Sequence, residues 1–307
     1  MSRAVVYETF GGPEVLDLRE VPEPHAGPGQ VRVRVAAVGL NPMDWIFSSM
    51  PQMAQQFGIT LPAGFGTDFA GTVDEVGEGV SGFAVGDRVL GAATGRAAAD
   101  HLLVDPAGPD TLLRTPDGIG DEVAGAITIA AATASAALAA IGVEAGDEVL
   151  IGGAAGGVGV FAVQLAKLAG ARVIGTASEG TFDFLRQFGV EPVAYGPGLA
   201  DRVRALAPNG VTAATDLFGT ETAEAALELG VRPERISTIA AGPSPPGAVR
   251  ATGGADARPQ ELERIAGLVA AGSITVPIAA TFPVEEIREA VRLQAGRHVH
   301  GKIVVVL

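Results

Sequence analysis

Residues 149–178 constrain the fold of this chain more than any other stretch. They begin Val-Leu-Ile-Gly-Gly-Ala-Ala-Gly-Gly-Val-Gly, continue as an apolar helical run, and end Ala-Arg-Val-Ile-Gly-Thr-Ala-Ser. This order predicts a strand, a glycine turn, a helix beginning near Gly157 and a second strand. The glycines at 153, 156 and 159 let the backbone bend tightly and approach a phosphate without an intervening side chain. A structural glycine turn is the alternative, but the flanking strands and helix favour a unit that holds the pyrophosphate of a dinucleotide at the helix N-terminus.

Composition favours a compact α/β protein and disfavours two classes of partner. Of the 307 residues 48% are hydrophobic and 18% charged, and 35 acidic residues against 21 basic ones give a net charge of −14. Repulsion of phosphate groups then disfavours a nucleic acid or a membrane as partner. The alanine-rich stretch 124–140 is interrupted by polar residues, and no signal-peptide core follows Met1. We therefore expect a buried helix over 124–140 and a cytoplasmic protein.

The chain contains no cysteine and four histidines. Disulfides and thiolate nucleophiles are thereby excluded, and the usual ligands of a structural zinc site are missing. The histidines show no chelate spacing, so we expect no metal site.

The pattern along the chain changes near Asp121. The first third reads as short strands with Pro and Gly turns, among them the alternating Val31–Val35, and predicts a barrel-like β domain. After Asp121 strands and helices alternate, which predicts a parallel sheet covered by helices on both faces. The C-terminal pattern predicts a Pro/Gly-rich loop over 243–254, a strand near 274–278, a helix over 284–294 and a buried closing strand over 302–307.

Six segments spread over nearly the whole chain form a collinear set. They are Phe10–Val15 (Phe-Gly-Gly-Pro-Glu-Val), Ala36–Asp44 (Ala-Ala-Val-Gly-Leu-Asn-Pro-Met-Asp), Gly66–Val73 (Gly-Thr-Asp-Phe-Ala-Gly-Thr-Val), Val85–Val89 (Val-Gly-Asp-Arg-Val), the turn Gly153–Gly159 and the tail Gly301–Val304 (Gly-Lys-Ile-Val). Each segment alone is unspecific. Together they resemble the zinc-free quinone oxidoreductases of the medium-chain dehydrogenase/reductase superfamily.

The resemblance implies a mixed α/β architecture. A GroES-like β-barrel domain and a Rossmann domain with a doubly wound parallel sheet would face one another across a cleft. We expect the GroES-like catalytic domain over residues 1–121, the nucleotide-binding domain over 122–255, and a C-terminal segment 256–307 that returns to the catalytic domain. The resemblance also implies a homodimer.

The resemblance also shows where this chain departs from the zinc-dependent alcohol dehydrogenases. Those enzymes carry Cys near the position of Pro42 and Gly-His-Glu near Gly66-Thr67-Asp68. This chain has neither the thiolate nor the imidazole, so no metal would polarise an alcohol or a carbonyl. Direct hydride transfer from a reduced nicotinamide to a conjugated carbonyl is then the expected chemistry, which requires orientation and donors for the developing enolate.

Three residues are candidate catalytic groups by the resemblance. Asn41 and Asp44 would lie at the mouth of the nicotinamide cleft, and Thr133 would lie close to the nicotinamide. Two alternatives stay open: Asp44 as the N-terminal cap of a helix, and Thr133 as a helix hydroxyl bonded back to the backbone. Many relatives place a tyrosine shortly after the Asp, where this chain has Ile46, so water or a ribose hydroxyl is the expected proton source.

NADP(H) is the expected cofactor. NAD-specific folds usually end the second strand with an acid that binds the ribose 2′-hydroxyl. Here that strand ends at Ser178, which leaves room for a 2′-phosphate, although Glu179 would repel it if it pointed inward. By resemblance Tyr195 would lie beside the adenosine phosphate, with strand packing as the alternative; Phe218 and Gly219 would line the cofactor groove, with a plain turn as the alternative. The other candidate contacts are the turn residues Ala155, Gly156, Gly157, Val158 and Gly159.

Arg297, His298, His300 and Lys302 form a basic cluster near the C-terminus of an acidic chain. A solvated basic face is the expected explanation. A contact of Lys302 with the cofactor phosphate, or of the cluster with an anionic tail on the substrate, is the alternative.

The first hypothesis is therefore an NADPH-dependent reductase of quinones or α,β-unsaturated carbonyls, with a small-molecule substrate. An enoyl-thioester reductase of lipid or polyketide assembly and a non-catalytic nucleotide-binding protein remain as alternatives. The acidic balance makes docking to an acidic carrier protein less natural, and Asn41 and Asp44 favour an enzyme. The sequence names neither the acceptor nor the oligomeric state.

Overall fold

The computed structural model describes residues 1–240 and 245–307. The chain divides into two compact units, one of residues 1–129 and 266–307 and the other of residues 130–265. The functional domain limits expected at residues 121 and 255 stay a prediction.

Strands and helices alternate with short turns throughout the described residues. The strands are β1 (Ser2–Tyr7), β2 (Asp17–Val21), β3 (Val31–Gly39), β4 (Ala63–Gly64), β5 (Asp68–Val76), β6 (Arg88–Ala92), β7 (His101–Val104), β8 (Thr111–Arg114), β9 (Glu148–Gly152), β10 (Arg172–Ala177), β11 (Glu191–Ala194), β12 (Ala213–Asp216), β13 (Ile236–Thr238), β14 (Arg250–Ala251), β15 (Ile278–Pro283) and β16 (Lys302–Val306). The α-helices are α1 (Pro42–Ser49), α2 (Pro51–Gln56), α3 (Asp121–Ala124), α4 (Thr128–Ile141), α5 (Gly159–Leu168), α6 (Phe182–Arg186), α7 (Leu199–Leu206), α8 (Glu221–Glu228), α9 (Pro259–Ala270) and α10 (Ile287–Ala295).

The first unit is built on a largely antiparallel sheet. Its strand order is β15-β16-β3-β5-β6-β8, with β7 also paired to β3, and a small sheet β2-β1-β4 accompanies it. The alternating Val31–Val35 segment explains the central strand, because its valines are buried while Arg34 is exposed. The apolar C-terminal run forms β16 between β15 and β3, with Ile303, Val304 and Val305 buried. Its expectation as a buried closing strand is confirmed.

Two predicted elements of this unit have different limits in the structure. The strand predicted near 274–278 begins only at Ile278 and runs to Pro283. Pro277 has no N–H to donate to a neighbouring strand. Its carbonyl accepts the Lys302 N–H at 2.9 Å, and the residue pairing with β16 starts at the next residue, Ile278. The helix predicted over 124–140 is broken, because α3 ends at Ala124 and α4 begins at Thr128. The chain passes so close to β3 there that a Cβ on Gly125 would lie 2.9 Å from the Ala37 carbonyl oxygen.

The second unit is a parallel six-stranded sheet of order β11-β10-β9-β12-β13-β14. Counted within the unit this is the order 3-2-1-4-5-6 of a doubly wound dinucleotide-binding sheet. The connection direction reverses beside β9, and ligands bind such sheets outside the carboxyl ends of the strands at that switch point. The glycine turn follows β9 directly, so the fold brings it to this position.

The loop predicted over 243–254 contains ordered structure. Its residues 243 and 244 lie outside the described part of the chain, whereas β14 pairs in parallel with β13 through Ser237 and Thr238. The prediction missed this strand because its pairing with β13 is a tertiary contact that the local sequence does not reveal. Within the described residues, none of the helices has the length and apolar character needed to cross a membrane.

Candidate functional site

The glycine turn is a tight bend tied to its neighbouring strand. Gly153 has a positive φ of 66°, a conformation that favours glycine. Its N–H donates to the Thr176 hydroxyl at 3.2 Å, and the Ala154 N–H donates to the Thr176 carbonyl at 3.3 Å. The Gly156 N–H closes the bend by donating to the Gly153 carbonyl at 3.0 Å. The end of β10 therefore sets the path of the turn.

The helix that follows begins at Gly159, two residues later than expected. A Cβ on Gly159 would lie 2.2 Å from the Gly153 carbonyl oxygen and 2.5 Å from that of Ala154, so any side chain would push the turn open. Within the described residues, no hydrogen bond uses the backbone N–H groups of residues 155, 157, 158 and 159. Unused N–H groups at the start of a helix are what a phosphate requires, so this turn fits a diphosphate.

A second turn lies beside the first, and sequence reasoning missed the residue that holds it. Asp216 ends β12, is 2% exposed, and accepts four backbone N–H groups. Oδ1 accepts those of Phe218 (3.0 Å) and Gly219 (2.9 Å), and Oδ2 those of Thr222 (2.8 Å) and Ala223 (3.3 Å). The available signal was an acid at the end of a strand and a few residues before a helix, which is the sequence pattern of a carboxylate that accepts the first N–H groups of that helix.

The other predicted cofactor residues lie at the same edge of the sheet. Ser178 follows β10 and its hydroxyl is 2.7 Å from that of Thr181. Tyr195 follows β11 with 55% of its surface exposed, and Arg202 donates to its carbonyl at 3.2 Å. The carboxyl ends of β9, β10, β11 and β12 thus bring together the two turns, Ser178 and Tyr195. A role of each in binding a cofactor stays a prediction.

Thr133 lies on α4 and is 8% exposed. No hydrogen bond from its hydroxyl back to the helix backbone occurs within the described residues, so the alternative proposed for it is not observed. The ideal Cβ position of Gly254 lies 3.1 Å from the Thr133 Oγ1. A larger residue at 254 would therefore press on this hydroxyl.

The first unit holds a buried polar cluster around the start of α1. Asn41, not Asp44, is the N-cap residue of this helix, so the expectation of Asp44 as N-cap is wrong. Asp44 sits at the third helical position, where its Oδ2 accepts the Asn41 backbone N–H at 2.8 Å. Pro42 occupies the first helical position, where its missing N–H costs no hydrogen bond of the helix. The Thr67 hydroxyl donates to the other Asp44 oxygen at 2.7 Å.

Lys302 belongs to this cluster and not to a solvated basic face. Its side chain is 2% exposed, and its Nζ lies 3.7 Å from Asp68 Oδ2. It donates to the Leu40 carbonyl at 3.1 Å and to Asn41 Oδ1 at 2.6 Å. The expected solvated face is therefore wrong for Lys302, whereas Arg297, His298 and His300 are exposed. A contact of Lys302 with a cofactor phosphate stays a prediction that this burial disfavours.

The Asn41 amide is held from three sides. Its Nδ2 donates to Asp68 Oδ2 at 2.9 Å and to the Gly39 carbonyl at 3.3 Å, while its Oδ1 accepts from Lys302. The second Asp68 oxygen accepts the Ile129 N–H at 2.9 Å. With both amide hydrogens engaged, Asn41 has no donor left for a ligand. Asn41 therefore serves to hold the first turn of α1, in which Asp44 lies.

Burial dominates the ionisation of this cluster. It raises the pKa of Asp44 to about 7, since desolvation outweighs the hydrogen bonds from Thr67 and Asn41. Burial likewise raises the pKa of Asp68, which the Lys302 ammonium opposes, and lowers the pKa of Lys302. The pKa of Tyr7 rises through burial and the nearby Asp44 carboxylate. Asp44 is therefore a carboxyl group that exchanges its proton near neutral pH.

The described ranges contain no group of three His, Cys, Asp or Glu side chains able to hold a metal ion. The positions expected to correspond to zinc ligands carry Pro42, Thr67 and Asp68, and the last two belong to the buried cluster. A metal-free reaction stays a prediction from the sequence.

Two family models match the chain. The alcohol dehydrogenase GroES-like domain matches residues 27–102, and the zinc-binding dehydrogenase domain matches residues 188–305. A quinone oxidoreductase of Pseudomonas aeruginosa is 39% identical over 182 residues, which are 58% of this chain and 53% of that protein. The polyketide synthase protein NorB of Streptomyces orinoci is 42% identical over 190 residues, 59% of this chain but 8% of NorB. The chain thus spans about half the length of the quinone oxidoreductase and a small part of the synthase.

Solved structures match over the full length. A quinone oxidoreductase from Coxiella burnetii has a TM-score of 0.86 at 29% identity, covering 100% of this chain and 99% of that one. A structure named as an NAD-dependent alcohol dehydrogenase has a TM-score of 0.87 at 30% identity and 99% coverage of both chains. A mycobacterial protein complexed with NADPH has a TM-score of 0.86 at 27% identity and 100% coverage of both.

A GroES-like unit together with a doubly wound dinucleotide-binding sheet defines a medium-chain dehydrogenase/reductase, which confirms the expected fold class. The chain belongs to that superfamily, and it is similar to quinone oxidoreductases and to an alcohol dehydrogenase of it.

Proposed function

We propose that this protein is an NADPH-dependent oxidoreductase that reduces a quinone or an α,β-unsaturated carbonyl without a metal. The single observation that carries the proposal is the pair of turns at the sheet switch point, where unused N–H groups stand at the start of α5 beside the Asp216-held turn. The quinone oxidoreductases of Pseudomonas aeruginosa and Coxiella burnetii support the acceptor class.

We infer NADP(H) as the cofactor. The backbone of residues 155–159 would hold the diphosphate, and Tyr195, Phe218 and Gly219 would line the groove. Ser178, in place of an acid after β10, would accommodate a 2′-phosphate without charge repulsion. The mycobacterial relative with NADPH supports this choice, whereas the NAD-dependent alcohol dehydrogenase relative supports the other coenzyme.

The bound coenzyme would supply the hydride, and the chain's own residues would orient the acceptor and hold a proton. Thr133 contributes a hydroxyl without an internal hydrogen bond among the described residues. Asp44, whose pKa burial raises to about 7, accepts hydrogen bonds from the Thr67 hydroxyl and the Asn41 N–H and would take up or release a proton near neutral pH. Asn41 acts on this site indirectly, by fixing the turn.

An enoyl-thioester reductase is the second candidate, and the match to the synthase protein NorB favours it. A non-catalytic nucleotide-binding protein is the third. We also propose a homodimer; the strand β14 at the edge of the parallel sheet is exposed at both residues and could pair with a second copy.

A panel assay separates the three candidates. Oxidation of NADPH is followed by its absorbance with a naphthoquinone, a short enone and a crotonyl thioester, and the proposal expects turnover with one of the first two. Turnover with the thioester alone would establish the second candidate. Binding of NADPH without oxidation by any acceptor would establish the third, and a tenfold preference for NADH, about 1.4 kcal/mol, would refute the cofactor assignment.

A further inference from the structure

Asp216 connects the glycine turn after β9 with the turn after β12, two segments that are far apart in sequence and that the proposed function needs. Its backbone pairs with Gly152, the last residue of β9, so the carboxylate stands next to the start of the glycine turn. The ideal Cβ position of Gly152 lies 3.1 Å from Asp216 Oδ1. A buried carboxylate that accepts four N–H groups is fully satisfied and has a defined orientation.

The two turns touch each other directly. The ideal Cβ position of Gly152 lies 2.4 Å from the Thr222 hydroxyl oxygen, and that of Gly153 lies 3.1 Å from the Phe218 Cβ. Residues 218 and 222 both donate their N–H groups to Asp216. Movement of the second turn would therefore displace the backbone against which Gly153 rests.

We propose that Asp216 is a positioning residue for the dinucleotide: its carboxylate holds the turn at 218–219 and the start of α8 against Gly152 and Gly153, and thereby shapes the phosphate-binding turn. The inference rests on the proposed function only in taking a nicotinamide dinucleotide as the ligand. Asp216 itself need not touch that ligand.

A general loss of stability would weaken binding as well, and Asp147 provides the matched control. Its carboxylate is 8% exposed. Asp147 directly precedes β9, so it lies at the opposite end of that strand from Gly152. It accepts the Glu144 N–H at 2.8 Å, the Thr212 hydroxyl at 2.7 Å and an Arg235 N–H at 2.6 Å. An Asp147→Asn change therefore disturbs a comparable hydrogen-bond cluster without touching the turns.

The experiment compares the full-length wild type, Asp216→Asn and Asp147→Asn. An amide in place of the Asp216 carboxylate can accept at only one atom and presents its NH2 to two of the backbone N–H groups. Isothermal titration with NADPH should show at least a tenfold higher Kd for Asp216→Asn and a change below twofold for Asp147→Asn, although both lower the Tm of the nucleotide-free protein. In turnover, the KM for NADPH should rise while the KM for the quinone stays within twofold.

A Gly219→Pro variant covers the case in which Asp216→Asn does not fold. It removes one of the four N–H donors at a site where a Cβ meets nothing within 4 Å, and it should raise the Kd for NADPH in the same direction by a smaller factor. NADPH binding by Asp216→Asn as tight as that by Asp147→Asn, or tighter than wild type because a negative charge has been removed, overturns the inference. Failure of the wild type to bind NADPH and NADH alike refutes the proposed function instead.

Discussion

Replacing Lys302 by Met tests whether the buried cluster is held by its one ammonium group. The Lys302 side chain is 2% exposed and that of Asp68 is 0% exposed, so the charge of each is compensated inside the protein. Met fills a similar volume but leaves the Leu40 carbonyl and Asn41 Oδ1 without their donor. Asp68 then becomes a buried carboxylate with no cation at 3.7 Å.

The size of the effect follows from this geometry. Removing one partner of a buried ion pair costs about 3–5 kcal/mol, and each lost donor to a buried acceptor costs about 1–3 kcal/mol, which that figure already includes in part. Uptake of a proton by Asp68, whose pKa burial has already raised, limits the loss. We expect the free energy of unfolding to fall by about 3 kcal/mol at pH 7 and by less at pH 5, where Asp68 is more easily protonated.

Urea unfolding of the wild type, Lys302→Met, Asp68→Asn and the double variant measures the coupling. Removing both charges should recover part of the loss, with an interaction energy of at least about 1 kcal/mol. Two results would refute the argument that Lys302 neutralises Asp68. One is a fall in the free energy of unfolding below about 1 kcal/mol for Lys302→Met, far less than a buried ion pair requires. The other is strict additivity of the two single effects.

Three further predictions concern single residues. Since the pKa of Asp44 rises from 3.8 to about 7 on folding, the folded state binds the proton more tightly, and the contribution to stability is lost as pH rises between these values. It amounts to roughly 4 kcal/mol; Asp44→Asn should remove this part of the pH dependence in urea unfolding, and an unchanged pH profile would contradict the burial argument. Gly159→Ala places a Cβ 2.2 Å from the Gly153 carbonyl oxygen, so the Kd for NADPH should rise at least tenfold by titration calorimetry. Gly180→Ala, which meets nothing within 4 Å, is the control; equal affinities for the two variants would count against the tight turn. Ser178→Asp should weaken NADPH at least tenfold and leave NADH within threefold, through repulsion of the 2′-phosphate; equal effects on both coenzymes would place that phosphate elsewhere.

Much of the unit with the parallel sheet could be predicted because its signals are local. The glycines after β9 mark a bend by their conformational freedom, and alternating strands and helices predict parallel strands. Parallel strands bring their carboxyl ends to one edge, which is enough to predict that Ser178, Tyr195 and Phe218 lie near the glycine turn. The apolar run at the C-terminus likewise indicates a buried strand by composition alone.

The tertiary structure decided what depends on long-range contacts. Lys302 and Asn41 are 261 residues apart in sequence, and Asp68 is 27 residues from Asn41. A lysine in a basic-looking tail predicts a solvated side chain, and only the pairing of β16 beside β3 places it among buried carboxyl groups. The four N–H groups that donate to Asp216 are likewise brought together by the folding of the chain after β12. Local sequence determines backbone conformation through each residue's own torsional preferences, whereas burial and charge pairing depend on which strands become neighbours, and that follows only from the folded chain.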